Sequence, residues 1–163
     1  MKEIMKIESE LFINGFKTYC VLYKPMAHRC GYVVIPKELQ KTINVNDLYV
    51  HGGITHDGVF KDGRFGEGVY TIGFDCLHLG DRPDFISAKN NFKYDENELK
   101  ALLFMETNGY HDDTEVVRTQ EYVEQELQEL TKQLREMTKW HSNNLKNLSS
   151  LWGIRNTNVQ TTI

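Results

Sequence analysis

The stretch from Leu11 to Tyr23 is rich in β-branched and aromatic residues. It is interrupted by Asn14-Gly15, the dipeptide best suited to a two-residue hairpin turn, so it predicts strand, turn and strand. Cys30-Gly31-Tyr32-Val33-Val34-Ile35 is an apolar run of strand length stopped by Pro36, the signature of a buried strand. Lys37 to Gln40 has room for one helical turn, and Leu48-Tyr49-Val50-His51 reads as a further strand ending at Gly52-Gly53. Charged residues and glycines between Asp57 and Gly68 predict a mobile loop, with a hairpin tip at Gly63 to Gly68. Val69 to Cys76 then restores the strand pattern.

From Asp95 the texture becomes helical, with Glu98, Leu99, Leu102, Leu103 and Met105 forming a short face before a break at Asn108-Gly109. The strongest periodicity follows: Val123, Leu127, Leu130, Leu134 and Met137 recur at alternating spacings of four and three. Thr119 suits the N-cap, Glu121 and Glu124 lie where the helix dipole favours anions, and Lys139 and Lys146 lie toward the other end. A helix from Thr119 to Asn147 would be roughly 40 Å long at about 1.5 Å per residue. Its next seam positions are His141 and Asn144, so the clean stripe covers about two heptads and favours packing across a sheet over a coiled coil. A homodimer through this helix is the alternative.

The expected fold class is α+β: an antiparallel sheet of about five strands in the N-terminal two thirds, packed with a short helix and one long C-terminal amphipathic helix. Residues 1–163 form one domain on this reading, with 1–94 mainly β, 95–152 helical and 153–163 a polar tail. A chain of 163 residues, 40% hydrophobic and 26% charged, has enough apolar residues for a core, which excludes a disordered chain. No stretch approaches the roughly 18 unbroken apolar residues of a membrane helix, and Met1 to Glu8 alternates charged with apolar residues, unlike a secretion signal. The expected location is the cytoplasm. Three cysteines, an odd count, fit reduced thiols better than a disulfide framework. A net charge of -4 argues against extensive nucleic-acid binding but leaves room for one small phosphate-bearing ligand, which needs only a local cluster of donors.

Candidate chemistry concentrates in Asp75-Cys76-Leu77-His78-Leu79-Gly80-Asp81, where a strand should give way to a loop. Strand ends hold side chains rigidly while leaving them open to a cleft, as a general base or metal ligand requires. The bland alternative has Asp75 and Asp81 bonding turn amides and His78 capping backbone carbonyls. His51-Gly52-Gly53 is the second feature, because paired glycines bring backbone N–H groups close to an anion beside an imidazole; a β-bulge is its bland counterpart. His28, Cys30, Cys76 and His78 form a third, weaker set of soft ligands for zinc, since only one residue separates each pair where two to four are usual. Burial of Cys30 and Cys76 as small hydrophobes competes with that reading. Trp140, Trp152 and Tyr122 are expected to pack, and His111-Asp112-Asp113 to lie in a solvated connector.

Three segments, Cys30-Gly31-Tyr32-Val33, Val50-His51-Gly52-Gly53 and Gly73-Phe74-Asp75-Cys76-Leu77-His78-Leu79-Gly80-Asp81, together with a late helix opening at Glu121-Tyr122-Val123, resemble a family of small uncharacterised proteins of bacteriophages and prophages. The resemblance implies a phage accessory protein acting in the host bacterial cytoplasm, with His51, Gly52, Gly53, Asp75, His78 and Asp81 as signature positions. The first functional reading is an antagonist of bacterial defence that sequesters a small nucleotide-like molecule between His51-Gly52-Gly53 and the Asp75-to-Asp81 strand end, with Arg64, Arg82 or Arg118 as phosphate partners. The second is a hydrolase in which Asp75, His78 and Asp81 hold a divalent metal ion, with His51 as general acid or base and His51, Asp75 and His78 as the catalytic set. The third makes the long helix an inhibitor of a host defence protein.

Overall fold

The computed structural model describes residues 3–109 and 114–151, with side chains as far as residue 139. His111-Asp112-Asp113, the Trp140 side chain, Trp152 and the tail 153–163 lie outside the described residues. The architecture is α+β. An antiparallel five-stranded sheet has the order β1 (Met5–Ile13), β2 (Phe16–Tyr23), β3 (His28–Val34), β5 (Tyr70–Asp75), β4 (His56–Val59). Helices α1 (Phe85–Asn91) and α2 (Glu96–Asn108) follow, and α3 (Gln120–Leu151) packs along the sheet. A small parallel pair, β6 (Asp81–Arg82) with β7 (Val116–Val117), connects the strand region to the start of α3. Among the described residues, no helix is long and apolar enough to cross a membrane.

Side-chain alternation along β2 explains the layers. Phe16, Thr18, Cys20 and Leu22 point to one face, and Tyr19, Val21 and Tyr23 to the other. On the first face Phe16, Cys20, Val33, Ile72 and Phe74 meet Val123, Leu127, Leu130 and Leu134 of α3, whose four stripe residues are all fully buried. Toward the end of the same face, Leu22 and Ala27 pack against Phe85, Ala88, Phe92 and Leu102 of α1 and α2. Gly31 faces α3, and a Cβ there would strike the Phe74 ring and crowd Leu127, so glycine lets the helix settle onto the sheet. The expected turn at Asn14-Gly15 is present with left-handed φ values of 53° and 92°, and the Asn14 side chain donates to Gln128 O and Thr131 Oγ1 of α3.

Three readings of the sequence are corrected. Residues 48–51 are not a strand: α3 takes three of their backbone groups, with Gln133 accepting from Tyr49 N–H and donating to Tyr49 O and Glu126 accepting from His51 N–H, while Leu48 N–H and Val50 O bond within local turns. The loop expected from Asp57 to Gly68 contributes β4, and its remainder folds back over the second face of the sheet. There Phe65 stacks on Tyr19 with ring centroids 4.4 Å apart, and Phe60 meets Tyr32 edge-on. The first strand begins at Met5 and not Leu11, because the charged residues of its N-terminal half occupy the outer edge of the sheet.

A β-bulge at Glu8 separates the pairs Ile7–Val21 and Ser9–Cys20, and it turns the Glu8 carboxylate into the protein. There it meets Arg29, whose side chain is 4% exposed. All five guanidinium N–H groups are used: Nε and Nη2 reach the two Glu8 oxygens, Nη1 reaches Asp84 Oδ2 and Arg118 O, and Nη2 also reaches Ser87 Oγ. Burial opposes the charge, but the bonds to Glu8 and Asp84 outweigh it and raise the Arg29 pKa above its ordinary value. Arg29→Met should therefore destabilise the fold by about 3–5 kcal/mol in urea unfolding, because two buried carboxylates lose their partner. Arg29→Lys should recover only part of this, since an ammonium cannot reproduce the five-donor fork. A loss under about 1 kcal/mol would show the network to be incidental.

Candidate functional site

The two stretches singled out by their residue types meet. Asp81 begins β6, next to the tight turn 77–80, and its carboxylate is 1% exposed. Oδ1 accepts from Arg118 Nε at 2.7 Å; Oδ2 accepts from His78 N–H at 3.0 Å and from His51 Nε2 at 2.7 Å. Burial would raise the Asp81 pKa, but the bonds from Arg118, His51 and His78 N–H overcome it and hold the carboxyl below the ordinary aspartate range.

The other imidazole nitrogen of His51, Nδ1, lies 3.0 Å from the Tyr122 hydroxyl. With Nε2–H donated to Asp81, the network assigns Nδ1 as acceptor of the phenol proton. Burial, followed by the negative charge of Glu126, raises the Tyr122 pKa and keeps that proton in place. Glu126 also accepts from His51 N–H at 2.8 Å, so adjacent turns of α3 hold both the backbone and the ring of His51. Arg118 lies just before α3 with its guanidinium carbon 4.7 Å from the centre of the Tyr122 ring.

His78 completes the group. Its ring meets that of His51 edge-on at 5.5 Å, and its side chain is 33% exposed, so it faces both the cluster and solvent. Nδ1 is buried without a hydrogen-bond partner, 3.6 Å from Asp81 Oδ2 and 3.8 Å from Asp75 Oδ1. Gly52 has a left-handed φ of 65°, and a Cβ there would overlap the His78 ring. Gly52 therefore serves the turn and makes room for the imidazole. Among the described residues, the His, Cys, Asp and Glu side chains that bring at least three ligand atoms together are His51, His78 and Asp81, within 4.8 Å of one another.

The remaining candidates fall elsewhere. Asp75 accepts from Leu77 N–H, as a turn-capping aspartate does, and stays at the rim of the group. The Gly52-Gly53 segment offers little cradle for an anion, because Gly53 N–H donates to Val50 O and the preceding His51 N–H is taken by Glu126. The zinc set His28, Cys30, Cys76 and His78 does not converge: Cys30 packs with Tyr19, Val21 and Tyr32 on one face, and Cys76 lies in the core under α3. Burial pushes the Cys30 thiol up to about 12 and raises Cys76 as well, so both behave as apolar core groups. His28 stacks on Tyr23, and burial lowers its pKa. Arg64 is engaged by Asp62 and Tyr23.

Tyr122 and Glu126, which hold His51, are not among the candidate site residues singled out by type and spacing. Their signal was present: they stand at i and i+4 immediately before the buried stripe residues Val123 and Leu127, on the flank of α3 that borders the sheet. Comparison with protein-family models, with curated proteins and with solved structures finds no match.

The depressed Asp81 pKa has a defined consequence. Its stabilising bonds are fully present above about pH 4, the ordinary unfolded value, and are lost as the pH falls through the lower folded value. Asp81→Asn should lower stability at neutral pH and flatten the acid limb of the stability curve, as read from urea midpoints between about pH 2 and 7. An unchanged acid limb would remove Asp81 as its source. Gly52→Ala should displace His78 and strain the turn, giving a shift of the His78 ring NMR signals with a stability loss of about 1–3 kcal/mol.

Proposed function

We propose that His51, His78 and Asp81 hold a divalent transition-metal ion, and that the protein is a metal-dependent hydrolase of a small phosphate-bearing molecule. The observation that carries this reading is the buried, unpartnered His78 Nδ1 turned toward a carboxylate that already holds a second imidazole. A buried polar atom without a partner is costly, and two imidazoles with one carboxylate suit zinc, iron or manganese. The ion would take the place of the proton shared by His51 Nε2 and Asp81 Oδ2. His51 would then carry its proton on Nδ1 and donate it to the Tyr122 oxygen, leaving the phenol proton to Glu126. This moves the third ligand from Asp75, which caps the turn, to His51.

Bound metal would supply Lewis acidity and a hydroxide nucleophile near neutral pH. Arg118, held to Asp81 through Nε, contributes positive charge beside the group for a phosphoryl oxygen. The resemblance to phage proteins supplies the biological setting: a nucleotide-like signal of bacterial defence as the substrate class. Sequestration of such a molecule uses the same residues without turnover.

Chelator-stripped protein titrated calorimetrically with Zn²⁺ or Mn²⁺ should bind one ion per chain. His78→Ala should weaken that binding at least about tenfold while leaving the thermal midpoint nearly unchanged. Hydrolysis of bis(p-nitrophenyl) phosphate should require the metal and fail in His51→Ala. Stoichiometric metal binding without phosphoester turnover would favour sequestration, and the absence of stoichiometric binding by either ion would remove the metal centre.

A further inference from the structure

At the opposite end of the α2 region, a cavity of about 240 Å³ opens between the start of β1, the end of β2 and helix α2. Its walls are mostly apolar, built from Ile4, Pro25, Tyr94, Leu102 and Met105 with the exposed Ala101 at the rim, and Glu3, Lys24 and Glu98 complete the lining. The volume corresponds to roughly eight waters at about 30 Å³ each, the size of a short acyl chain or a single aromatic ring. One ammonium group reaches into it: Lys24, whose side chain is 9% exposed.

Burying a lysine to this extent is unusual for a structural surface pair. Lys24 Nζ makes one ion pair, to Glu98 Oε2 at 2.7 Å, and lies 4.7 Å above the Tyr94 ring. An ammonium has three N–H groups, so the bond to Glu98 leaves donor capacity on a residue that lines the cavity. Its backbone N–H donates to Ile4 O, which fixes the lysine at the corner where the strand ends. The same Glu98 oxygen also accepts from Asp95 N–H as half of the capping box of α2. Glu98 therefore keeps a partner when Lys24 turns toward a ligand, which lowers the cost of exchanging one carboxylate for another.

We propose that this cavity binds a small amphipathic monoanion, with its apolar body against Leu102, Met105 and Pro25 and its carboxylate on Lys24. The site is separate from the histidine–aspartate group and does not depend on the metal reading. Cavities of this kind gain orientation from one well-placed polar group in an apolar lining. Ligand charge decides between this assignment and its opposite, because Glu3 and Glu98 also line the cavity and would favour an amine if Lys24 were fully neutralised by Glu98.

Calorimetry on the full chain with octanoate, octan-1-ol and octylamine, all below their micelle thresholds, tests the charge directly. Saturable octanoate binding at least tenfold tighter than octanol, with that preference abolished in Lys24→Met, supports the proposal. Ala101→Phe, which fills the rim without touching Lys24, should weaken octanoate binding at least tenfold and keeps the test decisive if Lys24→Met does not fold. Equal binding of octanoate and octanol, tighter binding of octylamine, no saturable binding, or full octanoate affinity in Ala101→Phe would each overturn it.

Discussion

The Arg29 guanidinium is the interaction on which the arrangement of the other elements depends. A charge buried among β1, β3, α1 and the approach to α3 is tolerated because each of its donors has an acceptor, and those acceptors come from three separate parts of the chain: β1, the start of α1 and the approach to α3. Glu8 reaches it only because the strand bulges. Asp84 serves it while also capping α1 through Ser87 N–H. Apolar burial under α3 supplies most of the driving force for collapse, but it is non-directional. The Arg29 network has strict geometry, so it selects one placement of the helices among those the apolar surfaces would accept.

The candidate site is built on that placement. Arg118 gives its backbone carbonyl to Arg29 and its side-chain Nε to Asp81, so the residue entering α3 joins the Arg29 network to the His51–Asp81 group. From there α3 reaches back to the 48–55 segment, with Glu126 and Tyr122 holding His51 and Gln133 holding Tyr49. Loops that carry functional groups are often mobile, but this one is fixed along the helix by hydrogen bonds that would otherwise belong to a sheet. His78 is the more solvent-accessible of the two imidazoles in the group.

The motif residues divide between packing and chemistry. Gly31 is where α3 comes closest to the sheet, and Gly52 is where the His51 turn comes closest to His78. Cys30 and Cys76 are core residues on opposite sides of the sheet. Asp75 terminates a strand by capping a turn amide, as its position at a strand end suggested. Among the candidate ligands, His28 and His78 each keep a bare, buried Nδ1, but His28 stands apart against Tyr23, whereas His78 converges with His51 and Asp81.

Local sequence determined the α+β class, the Asn14-Gly15 hairpin, the onset of helix near Asp95 and the α3 stripe, because each depends on residues within one or two turns of chain. It also singled out His51 and Asp75 to Asp81 as candidates, since such densities of ionisable groups are visible in one dimension. Tertiary structure alone decided that residues 48–51 bond to a helix and not to a sheet, that Glu8 turns inward, and that Asp81 and not Asp75 receives His51. Those outcomes turn on hydrogen-bond partners 30 or 75 residues away, as with Asp81 and Glu126 of the His51 contacts, and no local pattern encodes which distant acceptor a buried donor will find.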